Sequence, residues 1–231
     1  MASFESSEVR GYDDAPAVCG LRFFGAVSAS ISHELKNAIA IVSEHAGLLE
    51  DLALLAERGK PLDPERLKRT AMQITRQVQR ANVLIGNLNR FAHSIDEPIT
   101  TVPLSELISF LVTLAERKAT MSGITLKVAC REASFSVQVQ PFFLLNLLWL
   151  CLKALFETIP PSSVVQVDAQ EKDKDVEVRL HCQAIQPTQT SLPESLRKDA
   201  APLLSILHAQ ISMDSSTGDV VLSLPKNVPE A

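Results

Sequence analysis

Glycine is scarce in this sequence: there are eight in 231 residues, and none between Gly123 and Gly218. Backbone amides approach a polyphosphate closely where glycine removes the Cβ, so that stretch offers no glycine-rich phosphate cradle. Cysteine is sparse and scattered. Cys19, Cys130, Cys151 and Cys182 form no CxxC pair and no Cys/His cluster, which argues against a metal site and a disulfide framework and for reduced, cytosolic thiols. Long apolar runs are missing too. Pro141 to Ile159 is interrupted by Asn146, Lys153 and Glu157, so no membrane span is expected within the chain. Nor is there an excess of basic charge: the net charge of -5 weighs against nucleic acid as a partner. Glu5, Glu8, Asp13 and Asp14 give the first residues an acidic character that a secretory leader does not have.

What is present is a core-forming chain, 46% hydrophobic and 21% charged, long enough for one large domain or two small ones. After a polar tail over residues 1–19, a helix is expected from about Leu21 to Glu57. Phe24, Ser28, Ile31, Leu35, Ala38, Val42, His45, Leu49 and Leu52 mark a heptad seam along it. Gly59 and Pro61 end it. Asp63 caps a second helix with Pro64 at its first position, and Leu67, Ala71, Ile74, Val78, Ala81, Ile85, Leu88, Ala92 and Ile95 form its seam. Residues 20–97 therefore read as an antiparallel helical hairpin. One hairpin buries its seams poorly, so two copies are expected to pair as a four-helix bundle, a homodimer.

Residues 98–103, with two prolines, read as a linker. Beyond it, residues 104–231 mix helices and strands: a helix at Leu104–Ala119, strands at Thr125–Cys130 and Ser134–Val139, and an apolar helix at Pro141–Thr158. A hairpin follows at Val164–Gln170 and Val176–Cys182, then an irregular Gln186–Lys198, a helix at Ala200–Ile211 and a last strand at Val220–Leu224. The fold class is α+β.

The chemistry concentrates in Ser32-His33-Glu34-Leu35-Lys36-Asn37 on the first helix. His33 falls two residues after the seam position Ile31, so it faces outward. An exposed imidazole is largely neutral at cytoplasmic pH and offers a lone pair for attack on phosphorus. Glu34 is positioned to accept a hydrogen bond from the other ring nitrogen, and Asn37, at i+4, shares the face of His33. His45, on the seam, reads as a core histidine.

This hexapeptide resembles the phosphoacceptor box of bacterial sensor histidine kinases, and residues 20–97 resemble their dimerisation and histidine-phosphotransfer domain. Ala38 stands where that family usually has proline. The resemblance implies a second, ATP-binding α/β sandwich containing an Asn-Leu-Leu-x-Asn-Ala helix whose second asparagine helps hold magnesium. Here the run is Asn146-Leu147-Leu148-Trp149-Leu150-Cys151, so leucine occupies the metal-linked place. The family's Asp-x-Gly-x-Gly loop has no counterpart in Gln183–Thr190, and the helix after its phosphate lid survives only as Ala201–Leu207 without glycine. The second lobe accordingly reads as a degenerate ATPase-like domain with no cofactor of its own.

The resemblance is greatest to standalone histidine phosphotransferases and to pseudokinases. It implies exchange of a phosphoryl group between His33 and the aspartate of a response-regulator receiver, which supplies Mg²⁺. The alternatives are a non-catalytic dimeric regulator, or a fragment of a sensor kinase with a divergent nucleotide site. ATP-dependent autokinase activity is not expected.

Overall fold

The computed structural model describes residues 15–96, 99–129, 135–182 and 192–227. Most of the N-terminal tail, Cys130 and the Gln183–Thr190 segment lie outside the described residues.

Two long helices come first, α1 (Ala15–Glu57) and α2 (Pro64–His93). The turn between them is built as its residues dictate. Gly59 takes φ +78° just past α1, a conformation that L side chains adopt at a cost. Asp63 then accepts from the Glu65 amide at 3.0 Å, with Pro64 opening α2. Helix α1 begins at Ala15 rather than near Leu21, inside the stretch expected as tail. The extra turns have a partner: Cys19 meets Asn146 and Gly20 lies close against Phe142, both of the second lobe.

The seam of α1 follows the expected row, with Ile31, Ala38 and Leu52 buried, except that Phe24 is 40% exposed and Phe23 and Val27 take the inner place. On α2 the expected row is half wrong. Leu67, Ile74, Ala81 and Leu88 do turn inward, but their heptad partners are Thr70, Gln77, Leu84 and Phe91. Val78 and Ile85 remain 45% and 46% exposed. Thr70 and Gln77 are polar and so conceal the inner row from a hydrophobicity reading.

The lobe follows with β1 (Thr100–Pro103), α3 (Leu104–Met121), β2 (Thr125–Val128), β3 (Ser136–Val139), α4 (Pro141–Thr158), β4 (Val164–Lys172), β5 (Asp175–Cys182), α5 (Glu194–Ile206), β6 (Gln210–Met213) and β7 (Val220–Pro225). Five strands form a mixed sheet in the order β2-β4-β5-β7-β6, parallel only between β2 and β4; β1 and β3 make a separate antiparallel pair. Part of the expected linker is thus a strand, because Thr100–Pro103 pairs with Ser136–Val139. The expected helix over Ala200–Ile211 is displaced: it starts at Glu194, and Gln210–Met213 pairs with β7. His208, at φ +49°, marks the break between them. The whole is α+β, a helical hairpin followed by an α/β lobe.

Helix α4 supplies much of the core, with Leu144, Leu145, Leu147, Leu148, Cys151 and Leu152 all 0% exposed. Contrary to the sequence expectation, its length and composition alone are sufficient to cross a bilayer, its three polar residues notwithstanding. In the fold 67% of it is buried inside the lobe, the situation of a core helix. Full burial pushes the Cys151 thiol up to about 12.

Aromatic side chains lock hairpin and lobe together. The Phe23 ring meets Phe91 edge-on at 5.1 Å, Phe142 at 5.5 Å and Trp149 at 5.7 Å, and Phe91 lies 5.9 Å from Phe142. Phe91 is fully buried at this junction. Phe91→Ala leaves a cavity that three rings on two elements must collapse to fill, and will lower unfolding stability by about 3–5 kcal/mol. Equilibrium chemical denaturation measures it.

The outer face of the sheet is held by charge. Glu177 Oε1 accepts from Lys172 at 2.8 Å, and Oε2 accepts from Gln170 at 2.9 Å and from Arg179 at 3.1 Å. Lys172 foremost, then Gln170 and Arg179, hold the Glu177 carboxyl down to about 2, against burial acting the other way. A carboxyl depressed in the folded state stabilises above its unfolded pKa, and that contribution is lost as pH falls toward the folded value. Stability will therefore decline between about pH 4.5 and pH 2, and Glu177→Gln will flatten that decline. Thermal unfolding across that range checks the slope.

Candidate functional site

His33 lies about five turns into α1, which continues for more than six turns beyond it, and it is exposed. The neighbouring inner residues Ile31 and Ala38 are 4% and 1% exposed, so the backbone beneath the imidazole is fixed by the hairpin's own packing. The ring has one partner. The Asn37 side-chain amide lies 3.3 Å from Nδ1, as the i+4 spacing dictates. A neutral ring nitrogen and a carboxamide pair in either of two ways, the amide nitrogen donating to Nδ1 or the amide oxygen accepting from Nδ1–H, since the two amide orientations have the same shape.

Glu34 does something other than the spacing suggested. One residue on means about a hundred degrees around the helix, away from the ring. Its Oε2 accepts from Arg80 Nη2 of α2 at 3.0 Å, and the carboxylate is bound across the hairpin rather than to the imidazole. His33 and Asn37 thus come together, while Glu34 ties α1 to α2 beside them. Arg80 went unnoticed in the sequence; a basic residue on the exposed face of a helix carries no signal until the register of the hairpin is known.

Of two concavities nearby, one includes His33 and the other reaches its partner Asn37. The first, about 650 Å³, is bounded by α1, α3, α4 and the middle of α5, and is lined by His33 together with Phe23, Trp149 and Leu150. The second, about 560 Å³, runs between the hairpin and α3, bounded by Glu34, Asn37, Arg80, Val83 and Asn87. Arg117 borders both.

Asn146 lies fully buried at the edge of the first cleft, where its amide meets the thiol of Cys19 at 3.7–3.9 Å. Helix α1 therefore occupies the approach to that amide. Burial raises the Cys19 thiol above its usual range, against the Asn146 bond, which lowers it. Leu150 lines the same cleft, and its side chain has no oxygen for a hard cation. Among the described residues no group of three or more His, Cys, Asp or Glu side chains could hold a metal. His181 pairs with Asp219 at 2.7 Å on the sheet and His93 with Asp96 at 2.6 Å near the end of α2, both remote from His33 in the chain.

No family model matches the chain, and no curated protein matches it. Solved structures do resemble it in fold, and they are bacterial sensor histidine kinase domains. The catalytic domain of histidine kinase ThkA is 16% identical with a TM-score of 0.46, covering 57% of this chain and 97% of its own. The Acinetobacter baumannii histidine kinase AdeS is 9% identical with a TM-score of 0.45, covering 85% of this chain and 98% of its own. ThkA in complex with the response regulator protein TrrA is 18% identical with a TM-score of 0.45, covering 89% of this chain and 63% of its own.

Proposed function

We propose that this chain is a cytoplasmic histidine phosphotransfer protein of two-component signalling, acting as a homodimer and exchanging a phosphoryl group between His33 and the aspartate of a response-regulator receiver. The observation that carries the reading is His33 itself: an exposed imidazole on a packed helix, held by one neutral amide and, among the described residues, without a carboxylate partner.

The step balances without a nucleotide. With Asn37 Oδ1 accepting from Nδ1–H, the Nε2 lone pair faces outward and forms the new P–N bond. The P–O bond to the receiver's aspartate breaks, and the electron pair leaves with the carboxylate. The receiver brings the activated phosphate and its Mg²⁺; this chain contributes an attacking atom already placed in line. The groove that carries Glu34, Asn37 and Val83 is the surface on which a receiver reaches the ring. That Leu150 replaces the metal-linked asparagine and that α1 covers Asn146 both favour a lobe that works without ATP.

The test is direct. Receivers loaded from isotopically labelled acetyl phosphate are mixed with the chain, and acid-labile, base-stable label is followed. Transfer within seconds from at least one receiver, and no label from Mg-ATP alone, is the expected result. Label from Mg-ATP alone would make the chain an autokinase. Failure of every loaded receiver to transfer would leave the non-catalytic regulator.

A further inference from the structure

The cleft beside His33 has a charge opposite to that of the chain as a whole. The protein carries a net charge of -5, yet among the described residues Arg22, Arg117, Lys118, Lys153 and Lys198 line this cleft against one carboxylate, Asp199. Arg22, Lys118, Lys153 and Lys198 have no ion pair among the described residues. Arg117 is anchored differently. Its Nη1 donates to the Ser30 carbonyl at 3.4 Å, a long bond that uses one of the guanidinium's five donors. Ser30 and His33 are three residues apart on one face of α1, so the anchor lies a single turn from the imidazole. Cations gathered in one concavity repel one another, and an anion entering it relieves that repulsion.

We propose that the lobe completes the phosphoryl site of His33: Arg117, supported by the lysines of the same cleft, forms an anion-binding wall for the phosphate-bearing group presented to the ring. The inference rests on the reading of His33 as phosphoacceptor and adds to it a role for the second lobe. Charge of this kind, fixed beforehand at the place where negative oxygens gather, lowers the barrier to transfer. The wall works without metal. Among the described residues Asp199 is its only carboxylate, and the Asn146 amide is already engaged by Cys19. The wall's positive charge is supplied by guanidinium and ammonium groups. Arg117 also borders the receiver-side groove, so one guanidinium faces both spaces next to the ring.

Two measurements on the full chain separate this wall from the phosphoacceptor reading. In the first, His33→Gln is titrated with inorganic phosphate, without Mg²⁺, and amide shifts are followed by NMR. Saturable shifts at Arg117, Lys118 and Lys153, abolished by Arg117→Ala, are expected. In the second, the wild-type chain reacts with phosphoramidate, which needs no protein partner: Nε2 forms a bond to phosphorus as the P–N bond breaks and ammonia leaves with its electrons. Labelling should saturate, be competed by phosphate, slow roughly tenfold in Arg117→Ala, and recover in part in Arg117→Lys.

An absence of phosphate shifts, or Arg117→Ala labelling at the wild-type rate with an unchanged thermal midpoint, overturns the wall and leaves His33 untouched. Phosphate shifts with no label on wild-type His33 end the wall's assignment to phosphoryl transfer and the phosphoacceptor reading together. Shifts produced by Mg-ATP but not by phosphate also overturn it.

Discussion

His33→Gln will take up no phosphoryl group from a loaded receiver: acid-labile label will fall by at least roughly 10³-fold, to background. Glutamine keeps a polar side chain of similar reach but has no basic lone pair to form a P–N bond. The substitution touches nothing that holds the fold, because His33 is exposed and its one partner is the amide of Asn37. Size-exclusion and thermal unfolding profiles will match the wild type, so loss of label cannot be ascribed to loss of structure. Glu34→Gln separates two accounts of the neighbouring carboxylate. Were Glu34 the partner of the ring nitrogen, neutralising it would slow transfer by an order of magnitude or more. Its carboxylate is held by Arg80 instead, in a pair with side chains 22% and 53% exposed. Partly exposed pairs of this kind contribute little, and Glu34→Gln will change the transfer rate less than about threefold. Residual label on His33→Gln, mapped to another histidine, would end the assignment.

The placement of His33 and Asn37 was legible because its signal is local: helical register alone puts the imidazole outward and the amide beside it. The boundaries of α4 and the cap of α2 were legible for the same reason, since Pro141, Asp63 and Pro64 act on their own turns. What escaped was whatever depends on a distant partner. Arg80 acquires its role only when α2 folds back onto α1, and Arg117 only when α3, 87 residues further along, meets Ser30. Strands β1 and β6 are four residues each, too short for an alternating pattern to stand out, and exist because β3 and β7 lie beside them. Phe91 was passed over in favour of Ala92, because one apolar position in a run offers no indication of which neighbour faces the partner helix.

That same ambiguity on α2 has a consequence for assembly. An α-helix that packs against one neighbour needs one apolar row; α2 carries two. Its inner row, Leu67, Thr70, Ile74, Gln77, Ala81, Leu84, Leu88 and Phe91, already faces α1 and the lobe. The second, Ala71, Val78 and Ile85, is left at the surface at heptad spacing, with Met72 61% exposed beside it. Ile39 of α1 is 59% exposed as well. A second copy of the hairpin would cover such a row symmetrically, in the four-helix bundle proposed above. The double substitution Val78→Glu, Ile85→Glu tests it. Each change counts twice across a twofold axis, and each removes roughly 1 kcal/mol of aliphatic burial before the cost of facing charges is added. The dimer will weaken by about 10³-fold or more, and sedimentation equilibrium at micromolar concentration will report a monomer. Helical content will persist, because both positions are already half exposed in the single chain. A wild-type chain that sediments as a monomer, or a double variant that stays dimeric, would sink the bundle. Phosphoramidate labelling of the dissociated variant then separates two contributions to His33, because Arg117 belongs to the same chain and the dimer contact does not.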